Sequence, residues 1–304
     1  MNLPTDLKVP IRSQVSLSEH TTMKVGGEAR FFAEPTCESE LLELIEYARG
    51  SNLPFMIIGK GSNIIFDDEG YDGLCISLLK FEPEKICWDR EKKEFTVSAG
   101  VALSRLVTVC RDHQIGGFEF LANIPGTVGG AVWMNAGFCR HAGQRQEIGD
   151  LIVRLTGFNR EGKKEILERG QIQFSYRTAH LDGWIIVEAV LRGYPRSREH
   201  IQSEIEKNMN YRNRVQDLQH PSSGSIFKNP VFPLPSAGKL IDQVGLKGFQ
   251  RGGAMVSRVH GNYLVNLGHA TSQDIIQLMN EIQTKVFNET GVFLEPEVKI
   301  IKKS

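Results

Sequence analysis

Between Asn123 and Gly137 the chain reads Asn-Ile-Pro-Gly-Thr-Val-Gly-Gly-Ala-Val-Trp-Met-Asn-Ala-Gly, with four glycines, a proline and two asparagines in fifteen residues. Few folds need so many positions without a side chain merely to turn a corner. Such backbone can approach a flat or anionic ligand closely, and asparagine amides can bond the ligand's polar edge. The bland alternative is a loop-rich crossover with tight helix packing. Upstream, Gly59-Lys60-Gly61-Ser62-Asn63 follows the apolar run Phe55-Met56-Ile57-Ile58, where backbone amides can turn outward around a phosphate. It lacks the third glycine and the long helix of the dinucleotide fingerprint, and alone it reads equally as an unliganded turn.

Periodicity supplies a frame around these segments. Leu41, Leu42, Leu44, Ile45 and Ala48 mark a helix over Thr36–Gly50, and a second runs from Ala102 to His113. Hairpins are expected at Lys85–Trp88 with Glu94–Ser98, and at Leu151–Phe158 with Lys163–Leu167. Trp184–Leu191 reads as an apolar strand. Ile201, Ile205 and Met209 mark a helix from Ser197 to about Asn213, and with Gly193-Tyr194-Pro195 ahead of it this is where two halves would join. A short helix at Ser236–Val244, a strand at Tyr263–Asn266, a helix opened by Thr271 with Asp274 as cap partner, and a last strand over Val292–Ile301 complete the pattern.

A chain of 304 residues suits two domains. We place an N-terminal domain at 1–195, with parts at about 1–80 and 81–195, and a smaller one at 196–304. Lysine plus arginine (36) balances aspartate plus glutamate (36), which argues against nucleic acid or an anionic membrane as partner. No signal-peptide core and no apolar run near ~18 residues is present. The five cysteines are scattered without a C-x-x-C pair, pointing to free thiols, a reducing compartment and no zinc site. The expectation is a cytoplasmic protein, without metal, without membrane insertion, and monomeric or weakly associated.

Chemistry-bearing residues concentrate near the C-terminus. Ser223-Gly224-Ser225-Ile226-Phe227-Lys228-Asn229-Pro230 puts a hydroxyl on a glycine-preceded bend, with a lysine and an asparagine close behind. Leu294-Glu295-Pro296-Glu297-Val298 puts a carboxylate immediately before a proline, which holds Glu295 extended. A bare Gly-Ser pair is usually a turn, and an acidic face on a terminal strand is usually solvated.

Taken in order, Thr21-Thr22-Met23-Lys24-Val25-Gly26-Gly27, the GKGSN turn, IPGTVGGAV with MNAG, Phe174-Ser175-Tyr176-Arg177, GSIFKNP, SAGKLIDQVGLKG and LEPEV resemble the UDP-N-acetylenolpyruvoylglucosamine reductases (UDP-N-acetylmuramate dehydrogenases) over nearly the whole chain. The spacing is similar to the form of that family lacking an extra substrate loop. The resemblance implies an α+β fold, with a PCMH or vanillyl-alcohol-oxidase-type FAD-binding domain of two subdomains and a smaller α+β substrate domain. It further implies non-covalent FAD, NADPH as electron donor, and reduction of UDP-N-acetylglucosamine enolpyruvate to UDP-N-acetylmuramate.

The resemblance assigns Gly59, Lys60, Gly61, Ser62, Asn63, Asn123, Pro125, Gly126, Thr127, Gly129, Gly130, Asn135 and Gly137 to the flavin. It makes Ser225 the proton donor, and Glu295 and Arg177 catalytic; a Glu295 carboxylate aimed at an apolar flavin pocket would have its pKa raised. Tyr176, Arg177, Arg214, Lys228 and Asn229 would contact substrate. Two departures stand out. The family's N-A-G-A-Y-G is Asn135-Ala136-Gly137-Phe138-Cys139-Arg140 here, and its lysine before Gln-Pro is replaced by Val215-Gln216-Asp217, leaving Arg214 as substitute. The competing readings are an oxidase of the same fold acting on a small alcohol or sugar, and a non-catalytic nucleotide-sugar or flavin binder.

Overall fold

The computed structural model describes residues 7–139 and 145–303; Arg140 and the first six residues of the N-terminal stretch lie outside them. The chain forms two compact units, each assembled from separated segments. Among the described residues, the first comprises 7–11, Ala33–Lys60 and those within Cys75–Arg212; the second comprises Arg12–Phe32, Gly61–Leu74 and 213–303.

The first unit is built on a five-stranded antiparallel sheet in the order Lys164–Glu168, Ile152–Phe158, Ile185–Arg192, Glu94–Ser98, Ile86–Asp89. The expected hairpins therefore form, and Ile185–Arg192 runs through the middle, pairing Ala189 with both Leu155 and Val97. That strand is buried at nearly every position, the pattern of a strand covered on both faces. The glycine-rich segment packs against it as a short helix, Val128–Trp133. A Cβ on Gly129 would lie 2.8 Å from that of Ala99, so glycine is needed for the helix to sit this close. Gly129 N–H donates to Ala99 O at 3.0 Å and Leu103 N–H to Gly126 O at 3.1 Å, stitching the segment to the start of helix Leu103–Asp112. Burial there raises the Cys110 thiol well above its ordinary range. Tyr194–Pro195 is a short strand paired with Ile115–Gly116, inside this first unit; the units divide at Arg212/Asn213, within the helix Arg198–Val215.

The second unit has a four-stranded antiparallel sheet, ordered Ser222–Ser225, Tyr263–Asn266, Ala254–Val256, Gln250–Arg251. Helix Ser272–Thr290 belongs to its core through Ile275, Leu278, Met279, Ile282 and Val286, alongside Met23, Val25, Ile65, Ile226, Phe227 and Leu264. Its ends are those the sequence marks. Thr271 Oγ1 accepts the Asp274 N–H and Asp274 Oδ2 accepts the Thr271 N–H, while Gly291 closes it at φ 71°. Asn266 Nδ2 donates to Met23 O at 3.1 Å, bringing the Thr21–Gly27 motif onto the sheet.

One element differs from expectation. The last strand is only Lys299–Ile301, paired in parallel with Ile64–Phe66. Pro296 has no N–H, and the preceding stretch spends its hydrogen bonds on residues 226–228 instead of a regular ladder. The hairpin of Arg12–Ser16 with Glu28–Ala33 escapes sequence reading because its first strand is mostly exposed and polar. Among the described residues no helix is long and apolar enough to cross a membrane, no cluster of metal ligands is present, and Cys37, Cys75, Cys87 and Cys110 are free.

Candidate active site

In the second unit Ser225 ends an edge strand. Ser222 pairs with Val265 and Ser225 with Tyr263, so one extra residue is accommodated between the pairs. Gly224 takes it up at φ 71° with nothing within 4 Å of its missing Cβ. A bulge with a left-handed glycine re-aims the side chain that follows, here the Ser225 hydroxyl. Thr22 Oγ1 donates to Ser222 O at 2.7 Å and steadies the base of the strand.

Beyond Ser225 the chain is held on both edges. On one, Ile226 N–H donates to Asn262 O at 3.0 Å, while the Asn262 amide bonds Phe227 N at 3.0 Å and Phe227 O at 2.8 Å. On the other, Lys228 N–H donates to Glu295 O at 2.8 Å and Glu297 N–H to Ile226 O at 2.7 Å. Phe227 and Pro296 form the intervening bridge. The GSIFKNP and LEPEV motifs thus lie side by side, and Lys228 Nζ pairs with the Glu295 carboxylate. The Glu295 side chain is 65% exposed, ion-paired at the surface and not sunk in apolar surroundings.

Several other candidate residues belong to the same unit. Asn63 Nδ2 donates to Glu297 O at 3.1 Å and Asn63 O accepts Lys299 N–H at 3.0 Å, so the GKGSN turn ends against LEPEV. Gly61 is left-handed at φ 64°, and a Cβ there would sit 2.2 Å from His20 O. Asn229 Oδ1 accepts the Ala237 N–H at 3.1 Å. Arg214 is exposed in the last turn of helix Arg198–Val215. Asp217, one of the departures, is buried and accepts from Ser257 Oγ at 2.8 Å and His220 Nδ1 at 3.1 Å. Burial alone would raise its pKa; these bonds outweigh burial and hold it below the usual carboxylate range.

In the first unit Tyr176 and Arg177 form the tip of a tight turn. Ser175 N–H donates to Thr178 O at 2.9 Å, and Thr178 N–H returns to Ser175 O at 3.2 Å. Arg177 stands at φ 63°, a conformation that costs a residue with a side chain and that collects at functional positions. Its Nη1 donates to Gly137 O at 3.1 Å. Arg145, unmarked in the sequence, lies with Cζ 3.8 Å from the Tyr176 ring centroid and pairs with Glu147 at 2.7 Å. Asn135 is 1% exposed; its Nδ2 donates to Glu147 Oε2 at 2.8 Å and Ser175 O at 2.9 Å, and its Oδ1 accepts Gly149 N–H at 3.0 Å. At the other departure, Phe138 meets Tyr211 edge-on at 5.9 Å, and the buried Arg212 lies 5.9 Å over its ring.

The glycine segments fit a dinucleotide cofactor. A Cβ on Gly59 would lie 2.7 Å from Thr127 Oγ1, so the strand end at Gly59 and the Thr127 turn meet without intervening side chains. Gly130, Asn123, Pro125 and Lys60 are exposed. No aspartate or glutamate occurs in 59–63 or 123–137, as an anionic pyrophosphate requires.

Two family models match the sequence: an FAD binding domain over residues 29–166, and the C-terminal domain of UDP-N-acetylenolpyruvoylglucosamine reductase over residues 216–301. The chain is 40% identical to the UDP-N-acetylenolpyruvoylglucosamine reductase of Syntrophus aciditrophicus, covering 94% of this chain and 90% of that one. It is 37% identical to that of Synechocystis sp., covering 96% and 90%. The crystal structure of the Thermus caldophilus enzyme superposes with a TM-score of 0.79 at 32% identity, covering 97% of this chain and 99% of that chain. Cholesterol oxidase from Brevibacterium sterolicum shares the fold alone, with a TM-score of 0.51 at 15% identity over 64% of this chain and 39% of that chain.

Proposed function

The chain belongs to the UDP-N-acetylenolpyruvoylglucosamine reductases, FAD-containing and NADPH-dependent enzymes of peptidoglycan precursor synthesis, and from that premise we propose that Ser225, Glu295 and Arg177 carry the reaction in this protein. When bound, FAD supplies the hydride that NADPH provides, delivered to the terminal carbon of the enolpyruvyl ether. Negative charge then builds on the adjacent carbon and spreads into the substrate carboxylate, and the protein has to hold that charge and return a proton.

Arg177 holds the carboxylate, since a planar guanidinium offers two parallel donors to two oxygens. Its left-handed backbone at φ 63° fixes where that fork points. Ser225 delivers its hydroxyl proton to the carbon bearing the charge. Lys228 and Glu295 make the hydroxyl fit for this: the ammonium stabilises the negative charge left on the Ser225 oxygen until a proton from solvent restores the hydroxyl, and the carboxylate positions the ammonium. Tyr176, Arg214 and Asn229 each contact substrate, and residues 1–195 hold FAD while 196–304 receive substrate. Gly59, Lys60, Gly61, Ser62, Asn63, Asn123, Pro125, Gly126, Thr127, Gly129, Gly130, Asn135 and Gly137 cradle the cofactor. The enzyme works in the cytoplasm as a monomer or weak oligomer.

The observation that supports this reading is the main-chain pairing of Ile226–Lys228 with Glu295–Glu297, which holds the Lys228–Glu295 ion pair on the segment that directly follows Ser225. The test is an anaerobic visible spectrum of the holoenzyme, bleached with NADPH and mixed with UDP-N-acetylglucosamine enolpyruvate. Rapid return of the oxidised band is expected. Bleaching reversed only by oxygen would replace this reading with the oxidase one.

A further inference from the structure

We propose that Asn262 is a positioning residue for the reaction, holding Ser225 and Lys228 in register through the main chain of Phe227; the inference rests on the reading of Ser225 as proton donor.

Regular sheet pairing ends at Ser225 with Tyr263. The next rung would have to come from the residues before Tyr263, but there the chain turns away: Tyr263 N–H donates to His260 O at 3.0 Å, and Ser257 N–H to Tyr263 O at 2.8 Å. The Asn262 side chain supplies the missing rung. Its amide accepts from Phe227 N at 3.0 Å and donates to Phe227 O at 2.8 Å, the same donor-acceptor exchange an antiparallel partner residue would make.

The amide is well placed for this work. Asn262 is 3% exposed, so both bonds are shielded from water and neither group can be left unpaired cheaply. Its own backbone is fixed by two further bonds. Asn262 N–H donates to His260 Nδ1 at 3.1 Å, and Asn262 O accepts from Ile226 N–H at 3.0 Å. With Glu295 and Glu297 bonded on the opposite edge, the peptide units on either side of Phe227 cannot rotate. Ser225 stands two residues before that clamp and Lys228 one residue after it. A serine hydroxyl transfers a proton only from a near-attack position, where a displacement of about 1 Å costs on the order of 10²-fold in rate.

The test compares wild type, Asn262→Ala, Asn262→Asp and Ser225→Ala as FAD-loaded enzymes by anaerobic stopped flow, with amide hydrogen exchange of peptides spanning 222–230. Asn262→Asp keeps an acceptor for Phe227 N–H but replaces the donor to Phe227 O with a second oxygen that repels it, so it breaks one of the two bonds and carries the test if the alanine variant does not fold. The expected result is flavin bleaching by NADPH within about twofold of wild type, return of the oxidised band on adding enolpyruvyl substrate slowed roughly 10- to 100-fold, and faster exchange confined to 222–230. Unchanged return of the band, or loss of protection across the whole second unit with both half-reactions impaired, overturns the inference. If Ser225→Ala leaves the second half-reaction untouched, the proton-donor reading fails instead.

Discussion

The backbone N–H of Lys228 donates to the carbonyl of Glu295 at 2.8 Å, and the side chains of the same two residues form an ion pair. Residues nearly seventy positions apart are therefore fixed to one another twice, through main chain and side chain. A carboxylate on a separate loop would have to be ordered separately. Here its backbone is ordered by folding, and only its exposed head can move.

Ser225 directly precedes this paired segment, and its loss should separate the two half-reactions. In Ser225→Ala, NADPH reduces the flavin at the wild-type rate, while formation of UDP-N-acetylmuramate slows by about 10²–10⁴-fold, the range for one acid-base group. That is roughly 3–5 kcal/mol of barrier. Stopped-flow spectra give the first rate and product assay the second; wild-type turnover would remove Ser225 from the chemistry.

Arg177 allows function and strain to be told apart. At φ 63° a glycine would relieve about 1 kcal/mol of backbone strain. Arg177→Gly is therefore expected to unfold in urea no more easily than wild type, while turnover collapses. Arg177→Lys keeps the strain and the charge but loses the two-point grip, and should also turn over poorly, with weaker binding of the enolpyruvyl substrate. Wild-type kinetics in the lysine variant would reject the carboxylate clamp.

The sequence reveals this site unevenly, for physical reasons. Glycine, proline and capping residues act locally, so Thr271, Gly291 and the Gly126–Gly130 packing are legible one by one. The hairpins and the central strand Ile185–Arg192 follow from apolar runs that only a covered sheet demands. The pairing of Phe227 with Pro296 is not local, and nothing in LEPEV says that its hydrogen bonds go to residue 226 and not to a strand ladder; hence a final strand expected over Val292–Ile301 forms only at Lys299–Ile301. Arg145 and Asn262 escaped notice because each gains meaning from a partner far along the chain, Tyr176 and Phe227. No pattern within a few residues of either marks it.

Asn135 belongs to the same lesson and yields a stability prediction. Its amide spans Glu147, Gly149 and the carbonyl of Ser175, two residues before Arg177. Asn135→Ala strands the buried Gly149 N–H, which alone costs roughly 1–3 kcal/mol. Asn135→Asp should be at least as damaging, because it sets a second carboxylate against Glu147. Urea unfolding of the flavin-free protein measures both; changes under about 0.5 kcal/mol would mean that the clamp contributes nothing.

His260 makes stability depend on pH in a direction fixed by its bonding. Burial first, and then the charge of Lys247, hold its pKa below the ordinary value. Its Nδ1 accepts the Asn262 N–H at 3.1 Å, which only an unprotonated nitrogen can do. In the unfolded chain the imidazole takes a proton at about pH 6.5, so between that value and the lower folded pKa the unfolded state binds more protons. The stabilisation is then fully present above about pH 6.5 and is lost as pH falls toward the folded pKa. Urea midpoints at pH 7.5 and 5.5 should therefore fall further in wild type than in His260→Gln, whose side chain offers no titrating nitrogen. Equal drops in the two proteins would show that the acid sensitivity comes from elsewhere in the fold.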